Sequence, residues 1–150
     1  MAENIYPPVG FYFKVNFAGA GITKEHSFKE VSGLSVELGV EEIAEGGELR
    51  FKHRLPSTPK YNNLILKRGL LVDSNLRKWV DKAITSFEFT PILISIELLN
   101  AAATPAMTWN VHNAWPVKWE VSQLDAMSNE VAIETLEIAF DYFEIKSGKA

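Results

Sequence analysis

The chain has 150 residues, a formal net charge of −4 and no cysteine. This excludes a disulfide scaffold, a thiolate metal site and a cysteine nucleophile, and argues against binding a phosphate backbone through overall charge. Its 47% hydrophobic and 23% charged residues mark a folding chain rather than a disordered one, and its length suits a single domain, 1–150, that buries roughly 70% of its unfolded surface.

The N-terminus, MAENIYPPVG, has no basic region followed by an apolar run, so synthesis in the cytoplasm without a signal peptide is expected. From Phe11 the period is two. Phe11, Phe13, Val15 and Phe17 alternate with Tyr12, Lys14 and Asn16, which predicts a half-buried strand. "AGAG" (18–21) follows it without opening a helix and reads as a turn, not a phosphate cradle. Leu34, Val36, Leu38 and Val40 predict a second strand; Leu49, Phe51, His53 and Leu55, alternating with Arg50, Lys52 and Arg54, predict a third.

Between these two lies a charged segment. Five glutamates and no Lys or Arg fall between Glu37 and Glu48, and Arg50, Lys52, His53, Arg54, Lys60, Lys67 and Arg68 follow. One reading is a solvated acidic hairpin tip beside a basic strand. The other is a protruding arm, about 37–51, in which Glu41, Glu42, Glu45, Glu48, Arg50 and Lys52 meet another copy; such head-to-tail contacts generate rings or filaments.

From Ser74 the period changes. Leu76, Trp79, Val80 and Ala83 fall on one helical face, with Asp73 or Ser74 as the cap and Pro91 beyond the end. This predicts a helix of about ten residues over one side of a sheet. Ile92, Ile94, Ile96 and Leu98 return to period two. The stretch around 91–99 contains Ser95 and Glu97 and is too short to cross a bilayer, so no membrane insertion is expected.

Trp109, Val111, Trp115, Val117, Trp119 and Val121 share one parity. Tryptophans line ligand sites as well as cores, but the valines on the same face favour a core with Trp109, Trp115 and Trp119 in it. Pro116, Lys118 and Glu120 then face outward, and Pro116 marks a bend or an unpaired edge. In the final segment, from Val131 to Ile145, parity switches between Ile133 and Leu136 and again between Tyr142 and Phe143, and each switch suggests a β-bulge or a bend. Residues 109–121 alone would extend about 40 Å. Strands this long expose edges that a lone domain must protect and that an oligomer uses. The tail, 147–150, is expected to fray.

Catalytic signals are sparse. His26, His53 and His112 are far apart in sequence and lack metal-ligand spacing. There is no G-x-S-x-G, P-loop or Rossmann pattern. Neither an enzyme nor a cofactor is expected. The fold class read from the sequence is mainly β, antiparallel, with one flanking helix; a monomeric β-sandwich binding module using the Trp-rich strand is the alternative function.

"PPVGFYFKVNF", "FKEVSGLSVE", "KYNNLILKRGLL" (60–71), the helix after it, "NAWPVKWEV" (113–121) and "NEVAIETLEIAF" (129–140) occur in one order along nearly the whole chain. Together they resemble the tail tube proteins of contractile phages, and in particular the inner tube proteins of phage-tail-like contractile injection systems. The resemblance implies a small antiparallel β-sandwich or barrel with one flanking helix, a fold shared with type VI secretion tube proteins. It implies six copies per ring, strands of neighbours joined around a wide lumen, and rings stacked into a tube that a contractile sheath drives through a target envelope. It also implies that a hairpin, matching 37–51 here, reaches an adjacent ring or subunit. The implied partners are further copies of the chain, the sheath protein, baseplate or spike and tube-terminating proteins, and a lumenal cargo, protein or DNA, all within an assembled, virion-like particle.

Overall fold

A computed structural model describes residues 12–22 and 27–147; Phe11, His26 and most of the C-terminal tail lie outside them. The elements in order are β1 (Tyr12–Ala18), β2 (Glu30–Ser32), β3 (Val36–Ile43), β4 (His53–Tyr61), β5 (Leu64–Gly69), α1 (Asn75–Ser86), β6 (Ile92–Leu99), β7 (Pro105–Val121), β8 (Ile133–Ala139) and β9 (Tyr142–Ser147). The fold is mainly β, every pairing is antiparallel, and one helix flanks the sheets.

The long β7 joins two leaves. Its first part lies between β6 and β9, with β1 beyond β6. Its last part pairs with β8, which continues to β5 and β2. The core between the leaves takes Val15 and Phe17 from β1, Ile94 and Ile96 from β6, Val111 from β7, Leu64 and Leu66 from β5, and Leu136 and Ile138 from β8. The alternation read in β1 and β6 therefore has a simple cause: each strand shows one face to this core and the other to solvent.

Helix α1 closes the core with Leu76, Trp79, Val80 and Ala83, all buried. The spacing i, i+3, i+4, i+7 puts them on one stripe. Ser74 is the N-cap, its Oγ accepting from the Arg77 N–H at 3.2 Å, and the Trp79 indole N–H donates to the Thr90 carbonyl at 2.9 Å. The helix ends at Phe87, which adopts the left-handed conformation (φ 53°) while its N–H bonds Lys82 O. Glycine usually fills that position because it has no Cβ to clash.

Two expectations about strand parity need correction. The first concerns β8. No bulge separates Ile133 from Leu136; the β5–β8 register runs unbroken from Gly69↔Ile133 to Leu64↔Ile138. The inward position there belongs to Glu134, which is 4% exposed and bonded to Arg68, also 4% exposed. A carboxylate in a core position looks like a parity switch in sequence. Arg68, grouped by sequence with the basic surface, is thus a core residue. Its Nη2 also donates to Ser74 Oγ at 2.7 Å, its guanidinium lies 5.2 Å from the Phe28 ring centroid, and the Trp119 indole N–H donates to Glu134 Oε2 at 3.2 Å. The second predicted switch corresponds to the break between β8 and β9, where the inward set passes from Ile138 to Phe143.

The second correction concerns β7. Trp115 is 36% exposed, whereas Pro116 is fully buried. Two irregularities bracket this short segment. One lies against β6, where Ile92 and Ile94 face Ala114 and Val111, with Asn113 left-handed (φ 54°); the other lies against β8, between Pro116 and Lys118. Each shifts the pleat by one residue. Trp109 and Trp119 therefore remain partly buried against the core, while Trp115 and Val117 turn outward. The bend expected at Pro116 is present as the second irregularity.

Replacing Arg68 with Ala leaves the buried Glu134 without its cationic partner, which typically costs about 3–5 kcal/mol. Urea unfolding of the unassembled chain should show that loss, and the apolar pair Arg68→Met with Glu134→Leu should recover most of it.

Candidate assembly surfaces

Strands β3 and β4 form a two-stranded sheet of their own. The hairpin spans 36–61, longer than the 37–51 suggested by the acidic run, and both its faces are largely exposed. The alternation of Leu49 and Phe51 does not belong to a half-buried strand: β4 begins at His53, and both residues lie exposed in the turn region. The hairpin leaves the leaf through a tight crossing. A side chain on Gly33 (φ 89°) would sit 2.0 Å from the Asn63 carbonyl oxygen, and Asn62 Nδ2 donates to Ser35 Oγ at 2.7 Å. Tyr61 anchors the root edge-on against Phe140 and Phe143.

Most arm charges pair within the arm. Arg50 binds Glu48 through two nitrogens (2.8 and 3.1 Å), His53 Nε2 lies 2.7 Å from Glu45, and Arg54 lies 4.0 Å from Glu42. Glu41 and Lys52 have no ion-pair partner among the described residues. Glu42, Glu45, Glu48 and Arg50, by contrast, hold the tip's own shape. Nearer the root, Val36, Leu38 and Val40 oppose Tyr61, Pro59 and Pro56. Cross-strand partners share a face, so the arm carries an apolar face.

A second apolar surface was not anticipated from the sequence. Past the end of α1, Phe87 and Phe89 stack edge-on at 4.9 Å, and Phe89 stacks edge-on against Trp115 at 5.6 Å. The sequence signal was F-E-F directly after a helix, an alternating aromatic pair too short to register as a strand.

The solvent face of the β1–β6–β7–β9 leaf differs in character. Lys14 lies opposite Glu97, Ser95 Oγ donates to Asn110 Oδ1 at 2.9 Å, and Asn110 lies opposite Glu144. His112 stacks on Tyr142 with centroids 4.5 Å apart. This face is polar with both signs interleaved. The outer edges of β1 and β9 are unpaired among the described residues.

No group of three or more metal-ligating side chains occurs among the described residues. The space between Phe28, Arg68, Leu76, Val80, Trp119 and Glu134 is about 10 Å³, room for one water.

Residues 9–144 match the family described as T4-like virus tail tube protein gp19. Among solved structures, a chain of the anti-feeding prophage baseplate, determined by cryo-EM with sixfold symmetrisation, is 33% identical, with 95% of this chain and 97% of that one covered and a TM-score of 0.86. A chain of the PVC extracellular contractile injection system sheath–tube complex in its extended state is 26% identical over 96% and 94%, with a TM-score of 0.80. Hcp1 from Flavobacterium johnsoniae shares the fold at 15% identity, with a TM-score of 0.52 over 91% of this chain and 95% of its own. No curated protein sequence matches.

The Glu48–Arg50 clasp gives the arm a defined response to acid. The Arg50 side chain, then its backbone N–H, hold the Glu48 carboxyl below the usual glutamate range, and Glu48 in turn raises Arg50. A carboxylate depressed in the folded state stabilises above its unfolded pKa and loses that contribution as pH falls through the folded one. NMR titration should place the Glu48 midpoint below that of an ordinary glutamate, and Arg50→Ala should bring it back up.

Proposed function

We propose a hexameric, stacking tube for this chain, which belongs to the T4-like virus tail tube protein family and is a structural subunit of the inner tube of a contractile tail or injection system. The observation that carries the reading is the end-to-end likeness to a chain of the sixfold-symmetrised anti-feeding prophage baseplate. The family is a structural one, and the comparisons lend nothing to a monomeric binding module.

In the proposed assembly the 150 residues act as one tail-tube domain, and the β1–β6–β7–β9 leaf forms the wall. Its solvent face suits a conduit for a passing cargo, protein or DNA: charges of both signs are interleaved among the described residues, Lys14 opposite Glu97 and Glu144 two residues from Lys146. Its open β1 and β9 edges suit closure by pairing with neighbours, since barrels remove edges altogether. Four strands from each of six copies give a barrel of roughly 24 strands. At ~4.8 Å spacing and ~40° tilt its backbone diameter is about 45–50 Å. The sheath would meet the outside of this tube, and baseplate, spike and terminating proteins its ends. The arm tip, with Glu41 and Lys52 unpaired, would serve ring stacking; each exposed pair contributes only ~0–1 kcal/mol, so repetition around the ring supplies the strength.

Electron microscopy of the concentrated protein should show sixfold rings or tubes; a chain that stays monomeric at every concentration would sink the hexamer. Charge reversal at Glu41, Glu42, Glu45 and Glu48 should shorten the tubes and make their length fall with added salt. Tubes of unchanged length would remove the arm tip from stacking.

A further inference from the structure

Two exposed apolar surfaces have no partner among the described residues. One is the aromatic cluster. Phe87 is 82% exposed, held outward by a left-handed backbone that a bulky side chain rarely adopts. Phe89 and Trp115 complete an edge-on stack behind it. Trp115 faces out only because an irregularity on each side inverts its short segment. Bulges that re-aim one side chain are features rather than defects. The other surface is the arm face of Val36, Leu38 and Val40 with Pro56 and Pro59. A two-stranded hairpin is marginal in water unless something covers it. Pro56 and Pro59 also remove two N–H donors from β4, so the arm is better suited to docking a face than to growing by strand addition along that edge.

The register relates the two surfaces. The arm returns at Tyr61, and β5 begins at Leu64 opposite Ile138; Ile138 lies opposite Pro116, and Ala139 opposite Trp115. The arm root and the cluster therefore leave the same end of one leaf. The arm does not fold back onto its own cluster, because both surfaces are exposed. Rotation about a ring axis keeps heights, so the arm of one copy starts at about the level of its neighbour's cluster. The eight residues of β3 extend about 25 Å, enough to reach a neighbour.

Resting on the tube reading, we propose that the Phe87–Phe89–Trp115 cluster is the seat for the apolar arm face of the adjacent copy in the same ring. The contact is heterologous, one surface of each copy against a different surface of the next, as a closed ring requires.

The absence of native cysteine makes the test direct. Phe87→Cys should react with a maleimide in the unassembled chain and at least about tenfold more slowly in sheath-free tubes. In tubes co-assembled from Phe87→Cys and Leu38→Cys chains, oxidation should give a covalent dimer that the unassembled mixture does not form. If Phe87→Cys itself fails to assemble, iodide quenching decides instead: the share of the free chain's quenching that Trp115→Phe removes reports Trp115 among the four tryptophans, and wild-type tubes should lack that share. Tubes in which position 87 or Trp115 stays as accessible as in the free chain overturn the proposal. So does protection that appears only with sheath present, or protection without a crosslink to position 38. Failure of wild-type chains to assemble at all overturns the tube reading, and this inference with it.

Discussion

The buried Arg68–Glu134 pair is the constraint on which the rest of the fold depends. Arg68 comes from β5 and Glu134 from β8, and the pair reaches Trp119 on β7 and the capping Ser74 of α1. One ionic centre thus fixes three strands and the start of the only helix among the described residues. A buried pair of this kind is not a strong source of net stability, because desolvation offsets much of the attraction. Its effect is to select one arrangement. Any register in which β5 or β8 slips by one residue exposes the pair or leaves a charge alone in the core.

That fixed register decides what β7 presents. The strand serves two leaves and cannot keep a single pleat throughout. It changes phase at Asn113 and again after Pro116. Pro116 turns inward, where its missing N–H and compact ring are tolerated beside Ile138. Trp115 turns outward beside Phe89. A strand whose tryptophans and valines read as one core-facing stripe in sequence therefore carries a surface feature near its midpoint, at the same end of the leaf as the arm.

The arm shows how an assembling subunit handles exposed charge. Glu48 with Arg50, Glu45 with His53 and Glu42 with Arg54 hold the tip together, each weakly because solvent screens it. Glu41, Lys52 and the apolar face have no such partner among the described residues, and in the proposed tube they serve contacts between copies. In a repeating structure small contacts multiply, so a subunit needs many modest surfaces rather than one strong one.

The sequence by itself determined the parts that local physics controls. Strand periodicity in β1 and β6, the helical stripe of Leu76, Trp79, Val80 and Ala83, the cap near Ser74 and the acidic run followed by a basic one between the second and third strands all follow from spacing and residue type. The ordered motifs carried the resemblance to the tail tube family. Only the tertiary structure decided the rest. Arg68 and Glu134 look like surface charges until β5 and β8 are paired. The outward turn of Trp115 depends on two register shifts against two different partners, and neither shift leaves a mark on alternation along β7. The Phe87–Phe89–Trp115 cluster joins residues almost thirty positions apart. The physical reason is common to all three: periodicity reports which residues share a face of one element, whereas the fate of that face is set by elements distant in sequence that pair with it.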